Sequence, residues 1–397
     1  MLAKERLLVN MKIKQAERMS IFKPAIFGSL IEAANKKAET GTKIIDLSLG
    51  SPDLPPHEKI RKTLSEESAK ANMYGYTLTG LKRFNQAVAD YYRRTVDVNL
   101  DAETEVLQTM GSQEGLVHLP LAFCNEGDVV LTTNPAYVAY DAGIKLAGAE
   151  PYYMPLTAEN GFLPDVDAIP SDIVERASLL ILNLPGNPVP AMPNEQFFKK
   201  VIAFAKKHDI LVLHDAAYAE YYFSENKAFS FLAVEGAKEV GLEINSLSKS
   251  FSLAGARIAY FVGNKQAIDI LRRLKSNLDY GVFAPIQEAA ITALNNAEEI
   301  TAQLRVIFKE RHTTLTSGLA KNGWEVAPSD GGMFVWAKYP FDMDDESFVF
   351  HAIQEVGVVM VPGSAFGTEG RGYVRIALVQ EVEKLIEAVE RLASLRE

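Results

Sequence analysis

The sequence predicts an α/β protein: a large unit on a mostly parallel sheet flanked by helices, joined to a smaller α+β unit. Three observations predict it. Short apolar runs in the middle of the chain end in turn or polar residues, amphipathic helical stretches lie between them, and the texture changes from about residue 290 onward. Alternation of strand and helix along a chain builds helices onto a parallel sheet.

In chain order, the first 40 or so residues have a helical pattern and are expected to pack with the last part of the chain. The apolar runs Asp128–Thr133, Leu179–Asn183, Ile210–Asp215 and Ile258–Val262 follow as buried strands. Between two of them lies Glu195–His208, where Phe197, Val201, Phe204 and Ala205 recur on one face and lysines fill the other. A long helical pattern runs from Pro285 to about Lys321 and joins the two parts. Short strands over Gly332–Ala337, Val358–Val361 and Gly372–Leu378 come next, then a terminal helix from Glu381. The expected division is a helical segment over 1–45, a large unit over 46–290 and a small α+β unit over 291–397.

Composition narrows the function. The chain has 397 residues, 48% hydrophobic and 23% charged, the balance of an ordered globular protein. Lys+Arg number 41 against Asp+Glu 51, a net charge of −10, which repels a phosphate backbone and argues against nucleic acid as the main partner. One cysteine, Cys124, allows no internal disulfide and no cysteine-based metal site, so a cytoplasmic setting and no metal are expected. The first 20 residues carry charge throughout, unlike a secretory signal, and no apolar run reaches the length of a membrane span.

In parallel sheets the chemistry gathers at the carboxyl ends of the strands, so the polar residues ending these runs are the candidates. Asn245–Arg257 sets Lys249 among serines with Arg257 eight positions on. A lysine there suits a Schiff base with an aldehyde, and Ser246, Ser248 and Arg257 suit the oxygens of a phosphate. Asp215 and Tyr218 follow the strand Ile210–Leu213. A buried carboxylate needs a cation, and a protonated pyridine nitrogen would be one; Asp215 could equally cap the next helix. Asn187 sits in the rigid turn Asn183–Pro190, where it could donate to a phenolate oxygen or simply belong to a Pro/Gly loop. Ser112 and Gln113 begin a helix after Gly111, an arrangement that can bind an anion. Tyr137 could stack on an aromatic ring or pack in the core. Arg375 interrupts the apolar strand Gly372–Leu378; it either faces solvent at an edge or pairs with a substrate carboxylate.

Taken in order, these segments resemble the class I/II aminotransferases, the fold type I enzymes that use pyridoxal 5′-phosphate. The likeness runs from about Ile44 to the C-terminus and includes the Leu49–Asp53 turn, Tyr76-x-x-x-Gly80, the Gly-Ser-Gln turn, the Asn-Pro turn, Asp-x-x-Tyr, Ser-x-Ser-Lys and the late Val-Arg-Ile strand. The resemblance implies that Lys249 is the Schiff-base lysine and proton shuttle. It pairs Asp215 with the pyridine nitrogen, Asn187 and Tyr218 with the phenolic oxygen, and Tyr137 with the ring face. It assigns the phosphate to Ser112, Gln113, Ser246, Ser248 and Arg257, and the substrate α-carboxylate to Arg375. Gly50 lies where the family's loop passes the substrate, and Asn187 also borders it. Tyr76 matches a tyrosine that reaches the phosphate of the neighbouring subunit, which implies a homodimer with shared sites.

The stretch from Glu195 to Ala290 is most similar to the alanine, LL-diaminopimelate and methionine-salvage aminotransferases. The shared texture is Phe-Phe-x-x-Val-x-x-Phe-Ala-Lys, then Val234–Gly241, then Ser-Leu-Ser-Lys. The implied reaction is ping-pong transfer between an L-amino acid and a 2-oxo acid, with glutamate/2-oxoglutarate or alanine/pyruvate as one pair. A β-lyase or related carbon–sulfur lyase on the same fold is the alternative. A transcription regulator with an aminotransferase-like domain would need a DNA-binding domain ahead of the core. Two departures stand out. Asn187-Pro-Val-Pro190 replaces the usual Asn-Pro-Thr-Gly or Asn-Pro-Thr-Ala, and Gly255-Ala-Arg-Ile-Ala259 replaces Gly-Trp-Arg-Ile-Gly. The catalytic positions survive both; a second proline stiffens the loop, and loss of the tryptophan opens space beside Arg257.

Overall fold

The computed structural model describes residues 13–22, 26–224 and 230–396. Its centre is a seven-stranded sheet. The strands lie in the order Val106–Thr109, Ala259–Gly263, Gly241–Ser246, Leu211–Asp215, Ala177–Asn183, Val129–Asn134 and Glu150–Pro155. Only Ala259–Gly263 runs against its neighbours; the other pairings are parallel. The central strands are apolar along almost their whole length because helices cover both faces.

All four expected strands are present, the last of them in the antiparallel position. Three further strands carry weaker patterns. Gly241–Ser246 has a carboxylate in its middle, Glu243, which breaks the apolar run. That residue is the register partner of His214 on the next strand, so two buried polar groups satisfy each other. Helix Glu195–His208 starts where Asn194 accepts the Phe197 N–H at 2.9 Å. Its buried stripe is Phe198, Val201, Ile202 and Ala205, at the i, i+3, i+4, i+7 spacing that faces a core; Phe197 lies at the margin and is only partly buried.

The long helical pattern is two helices, Ala284–Asn295 and Ala297–Lys321. Asn296 separates them. Its side chain donates to Thr292 O at 2.8 Å, the local bonding by which asparagine competes with a continuous helix. Beyond them, Glu325–Val326, Phe334–Lys338, Tyr373–Ala377 and Val361–Pro362 form a four-stranded antiparallel sheet. The expected strand Val358–Val361 splits between two sheets: Val358–Val359 pairs in parallel with Ile45–Asp46, and Val361–Pro362 pairs with the strand that holds Arg375. The final helix is Val382–Ala393.

At the N-terminal end, a single turn of helix covers Glu17–Ile21, and Phe27–Ala38 forms a helix packed on Asp345–Val356. Residues 1–12 and 23–25 of the expected 1–45 segment lie outside the described residues. Among the described residues, no helix is long and apolar enough to cross a membrane.

Two features of this fold place the site. The register sets Asn183 directly beside Asp215 at the carboxyl ends of adjacent strands. The parallel pair Ile45–Asp46 with Val358–Val359 brings the loop from Ser48 to Asp53 to the same end, where Arg311 clamps Asp53 through two bonds of 2.7 and 2.8 Å.

Candidate active site

A cavity of about 430 Å³ opens at the carboxyl ends of these strands. Its walls include Gly50, Ser112, Gln113, Tyr137, Asn187, Asp215, Tyr218, Ser248, Lys249, Arg257 and Arg375. Eleven of the thirteen residues singled out by sequence therefore meet in one place. Ser246 and Tyr76 do not line it. Ser246 is buried, and its Oγ accepts the Ser248 N–H at 3.1 Å, capping the short helix Leu247–Ser250. Tyr76 is 84% exposed, and its ring lies 5.0 Å from that of Tyr280.

Lys249 projects from that short helix, and its Nζ donates to Gly50 O. Burial, with Arg375 and Arg257 nearby, lowers its pKa to about 8. A neutral amine is thus accessible near physiological pH, as a nucleophile requires.

Asp215 sits at the floor, 4% exposed. Its Oδ2 accepts from the Tyr140 hydroxyl at 2.8 Å and its Oδ1 from the Ala217 N–H at 3.2 Å. Burial still holds its pKa above the usual carboxylate value. Asn183 braces the region: its Nδ2 donates to Asp215 O at 2.8 Å, and its Oδ1 accepts the Asn187 N–H at 2.8 Å. On the opposite face of the strand, His214 has Nδ1 2.8 Å from Glu243 Oε1 and Nε2 2.8 Å from Leu184 O. Burial works against its charge, but the Glu243 carboxylate outweighs this and raises its pKa. Glu243 also accepts from Ser230 and from the Phe231 N–H. Glu243→Ala would strand the histidine without its partner, so thermal unfolding should show a loss of about 3–5 kcal/mol.

Asn187 Oδ1 accepts from Arg375 Nη1 at 2.8 Å, and its side chain also hydrogen-bonds Tyr218. Burial raises the Tyr218 hydroxyl well above its ordinary value. Arg375 is 2% exposed. Its Nη2 donates to Ser48 O, its Nε has no partner, and its guanidinium lies 4.5 Å from the Phe334 ring centre and 5.0 Å from that of Phe366. Burial lowers its pKa to about 10, so it stays charged at neutral pH.

At the other end, helix Ser112–Phe123 points its first N–H groups, which no helix can satisfy internally, toward the cavity. Gly111 precedes it at φ +80°; a Cβ there would fall 2.2 Å from Arg257 Nη2. Only glycine lets that guanidinium lie against the turn. Arg257, itself at φ +55°, is steadied by donating from Nη1 to Ala254 O at 2.8 Å. Tyr137 donates to Gln113 Oε1 at 3.3 Å, which places it over this end.

These residues fit pyridoxal phosphate. An anion cradle, a carboxylate at the floor and a lysine of lowered pKa occupy one cavity, with the Arg375 guanidinium in its wall. Tyr140, Asn183 and the His214–Glu243 pair escape a reading of motifs. Tyr140 sits three residues after Tyr137, the one local sign that it could face the same site. Tyr140→Phe removes a buried hydrogen bond to a charge, so the dissociation constant for pyridoxal phosphate should rise about tenfold, equivalent to about 1.4 kcal/mol.

Known proteins agree with this geometry. The profile described as "Aminotransferase class I and II" matches residues 42–392. LL-diaminopimelate aminotransferase of Aquifex aeolicus is 40% identical over 382 residues, covering 96% of this chain and 99% of that protein. Its counterpart in Moorella thermoacetica is 40% identical over 381 residues, with 96% and 98% covered. Substrate-bound BacF from Bacillus subtilis superposes with a TM-score of 0.93 at 37% identity, covering 98% of this chain and 99% of BacF. A Thermus thermophilus aspartate aminotransferase double mutant gives 0.90 at 25% identity, with 97% and 100% covered. With fold, cavity and full-length similarity in agreement, the chain belongs to the class I and II aminotransferases, pyridoxal phosphate-dependent transaminases of fold type I.

Proposed function

We propose that this protein moves an amino group between an L-amino acid and a 2-oxo acid by a ping-pong mechanism, with glutamate/2-oxoglutarate or alanine/pyruvate as one pair. The observation that carries the proposal is the convergence of Lys249, Asp215 and Arg375 on one cavity. Pyridoxal phosphate, when bound, supplies an electron sink for a bond to the amino acid's α-carbon. Lys249 takes the proton from that carbon and returns it on the cofactor side, acting first as base and then as acid. Asp215 holds the ring nitrogen protonated, with Tyr140 and the Ala217 N–H supporting its charge. Asn187 and Tyr218 bind the phenolic oxygen, and Tyr137 covers the ring. Ser112, Gln113, Ser248 and Arg257 hold the phosphate, with Ser246 capping the turn beneath them. Arg375 takes the α-carboxylate in a fork and so aligns the bond to be broken.

A homodimer belongs to the same proposal. The 84% exposure of Tyr76 supports the reading that it reaches the phosphate of a neighbouring subunit. Sedimentation should show a dimer, and Tyr76→Phe should weaken cofactor binding without changing the sedimentation.

The direct test adds L-glutamate or L-alanine alone to the cofactor-loaded protein. A change in the cofactor's visible band with one equivalent of oxo acid released supports the half-reaction. Absence of both with every amino acid tried would refute transamination.

A further inference from the structure

A buried ion network lies behind the phosphate end of the cavity. Glu114 is the third residue of helix Ser112–Phe123. Its Oε2 accepts the Met110 N–H at 2.7 Å, so its carboxylate braces the turn Met110–Ser112, against which Arg257 lies. Its Oε1 lies 2.9 Å from His118 Nδ1. Burial pushes the Glu114 carboxyl up, but His118, Lys275 and the Met110 N–H outweigh this and hold it below the usual value, so it is negative at neutral pH. That charge is at odds with its position. A carboxylate in the first turn is favoured by the helix dipole, yet it repels an anion bound at the same end. Lys275 is placed to oppose it. Lys275 ends helix Lys265–Lys275, which packs on helix Ser112–Phe123, and is 3% exposed. Its Nζ donates to Glu114 Oε2 at 3.3 Å and to Asp279 Oδ1 and Oδ2 at 2.8 and 2.7 Å. A lysine buried this deeply needs such partners. All of these bonds lie within one chain, so a neighbouring subunit can add to them but is not needed to make them.

We propose that Lys275 is a positioning residue for the cofactor's phosphate: it offsets the charge of Glu114 and holds that side chain where it braces the turn that receives the phosphate. The proposal rests on the reading that places the phosphate at this end of the cavity. Neither Glu114 nor Lys275 lines the cavity, so both act through the turn and through their field rather than by contact. Without the ammonium, Glu114 and Asp279 lose their shared cation, and the phosphate meets a helix end made less positive by an unopposed carboxylate. Glutamine at position 114 is the informative counterpart. Its amide oxygen can accept from the Met110 N–H and from Lys275, and its amide N–H can donate to His118 Nδ1. The brace then stays while the negative charge goes.

The test titrates the full-length protein, freed of cofactor, with pyridoxal phosphate and with pyridoxal, which has the same ring and aldehyde but no phosphate. The ratio of the two dissociation constants isolates the phosphate's contribution. Lys275→Met should weaken pyridoxal phosphate about tenfold and pyridoxal by less than about threefold. Lys275→Arg should recover most of that loss. Glu114→Gln should strengthen pyridoxal phosphate about twofold with pyridoxal unchanged, and it carries the test if Lys275→Met does not fold. Arg257→Ala is the control for the underlying reading and should collapse the ratio. If it does so while Lys275→Met weakens both ligands equally or neither, or while Glu114→Gln fails to strengthen pyridoxal phosphate, this inference is overturned and the placement of the phosphate stands. If Arg257→Ala leaves the ratio unmoved as well, the phosphate lies elsewhere and both fall.

Discussion

Lys249→Ala should lower turnover about 10⁴-fold, the upper range for loss of a proton-transferring group, while the protein still binds pyridoxal phosphate. Binding survives because the cradle at Ser112, Ser248 and Arg257 and the carboxylate of Asp215 remain. Steady-state rates and a cofactor titration separate the two effects; full activity in the variant would remove the central assignment. The same residue has a second, opposite effect on stability. In the folded, cofactor-free protein the amine releases its proton at about 8, against about 10.5 in the unfolded chain. Between these values the unfolded state binds more protons, so folding stability rises with pH through that window. Below about pH 8 the buried charge opposes folding by at most about 3 kcal/mol. Lys249→Met should therefore stabilise the cofactor-free protein at pH 7, and denaturant titrations should show the gain shrinking from pH 8 and vanishing above about 10.5.

That trade between stability and chemistry also explains which parts of the site can be read from sequence. Asp215 stands at the end of an apolar run and Lys249 in a serine-rich turn, so local pattern alone marks them. The His214–Glu243 pair cannot be found this way. Glu243 looks like a defect in a strand until the parallel register sets it opposite His214, 29 residues earlier. Asn187 is similar. Its turn is visible from its prolines and glycine, but its carbonyl meets a guanidinium 188 positions away, a contact made only when the second sheet closes over the first. Ser246 shows another limit: its hydroxyl also accepts the N–H of Ser248, a capping bond that residue type alone does not show, while its O–H remains free to donate. The helix break at Asn296 is of the same kind, a side chain bonding locally where periodicity alone reads straight through.

The contact between Asn187 and Arg375 makes the second large effect informative. Arg375→Ala should raise KM for amino and oxo acids alike, by an amount equivalent to about 2–5 kcal/mol, as expected for truncating one member of a buried charge pair. Part of that loss arises inside the protein. Without the guanidinium, Asn187 Oδ1 and Ser48 O lose their donor, and the rings of Phe334 and Phe366 lose the cation beside them. Two controls separate these losses from substrate binding. Arg375→Lys keeps the charge but not the planar fork, so it should recover stability more fully than KM. An amine substrate without a carboxylate has nothing to give Arg375, so its KM should change far less in either variant. An unchanged KM for carboxylate substrates in Arg375→Ala would mean that another residue holds the carboxylate. The lining of the cavity argues against that: among the described residues its cations are Lys249, Arg257 and Arg375, and the first two already have places in this reading, which leaves Arg375 for the carboxylate.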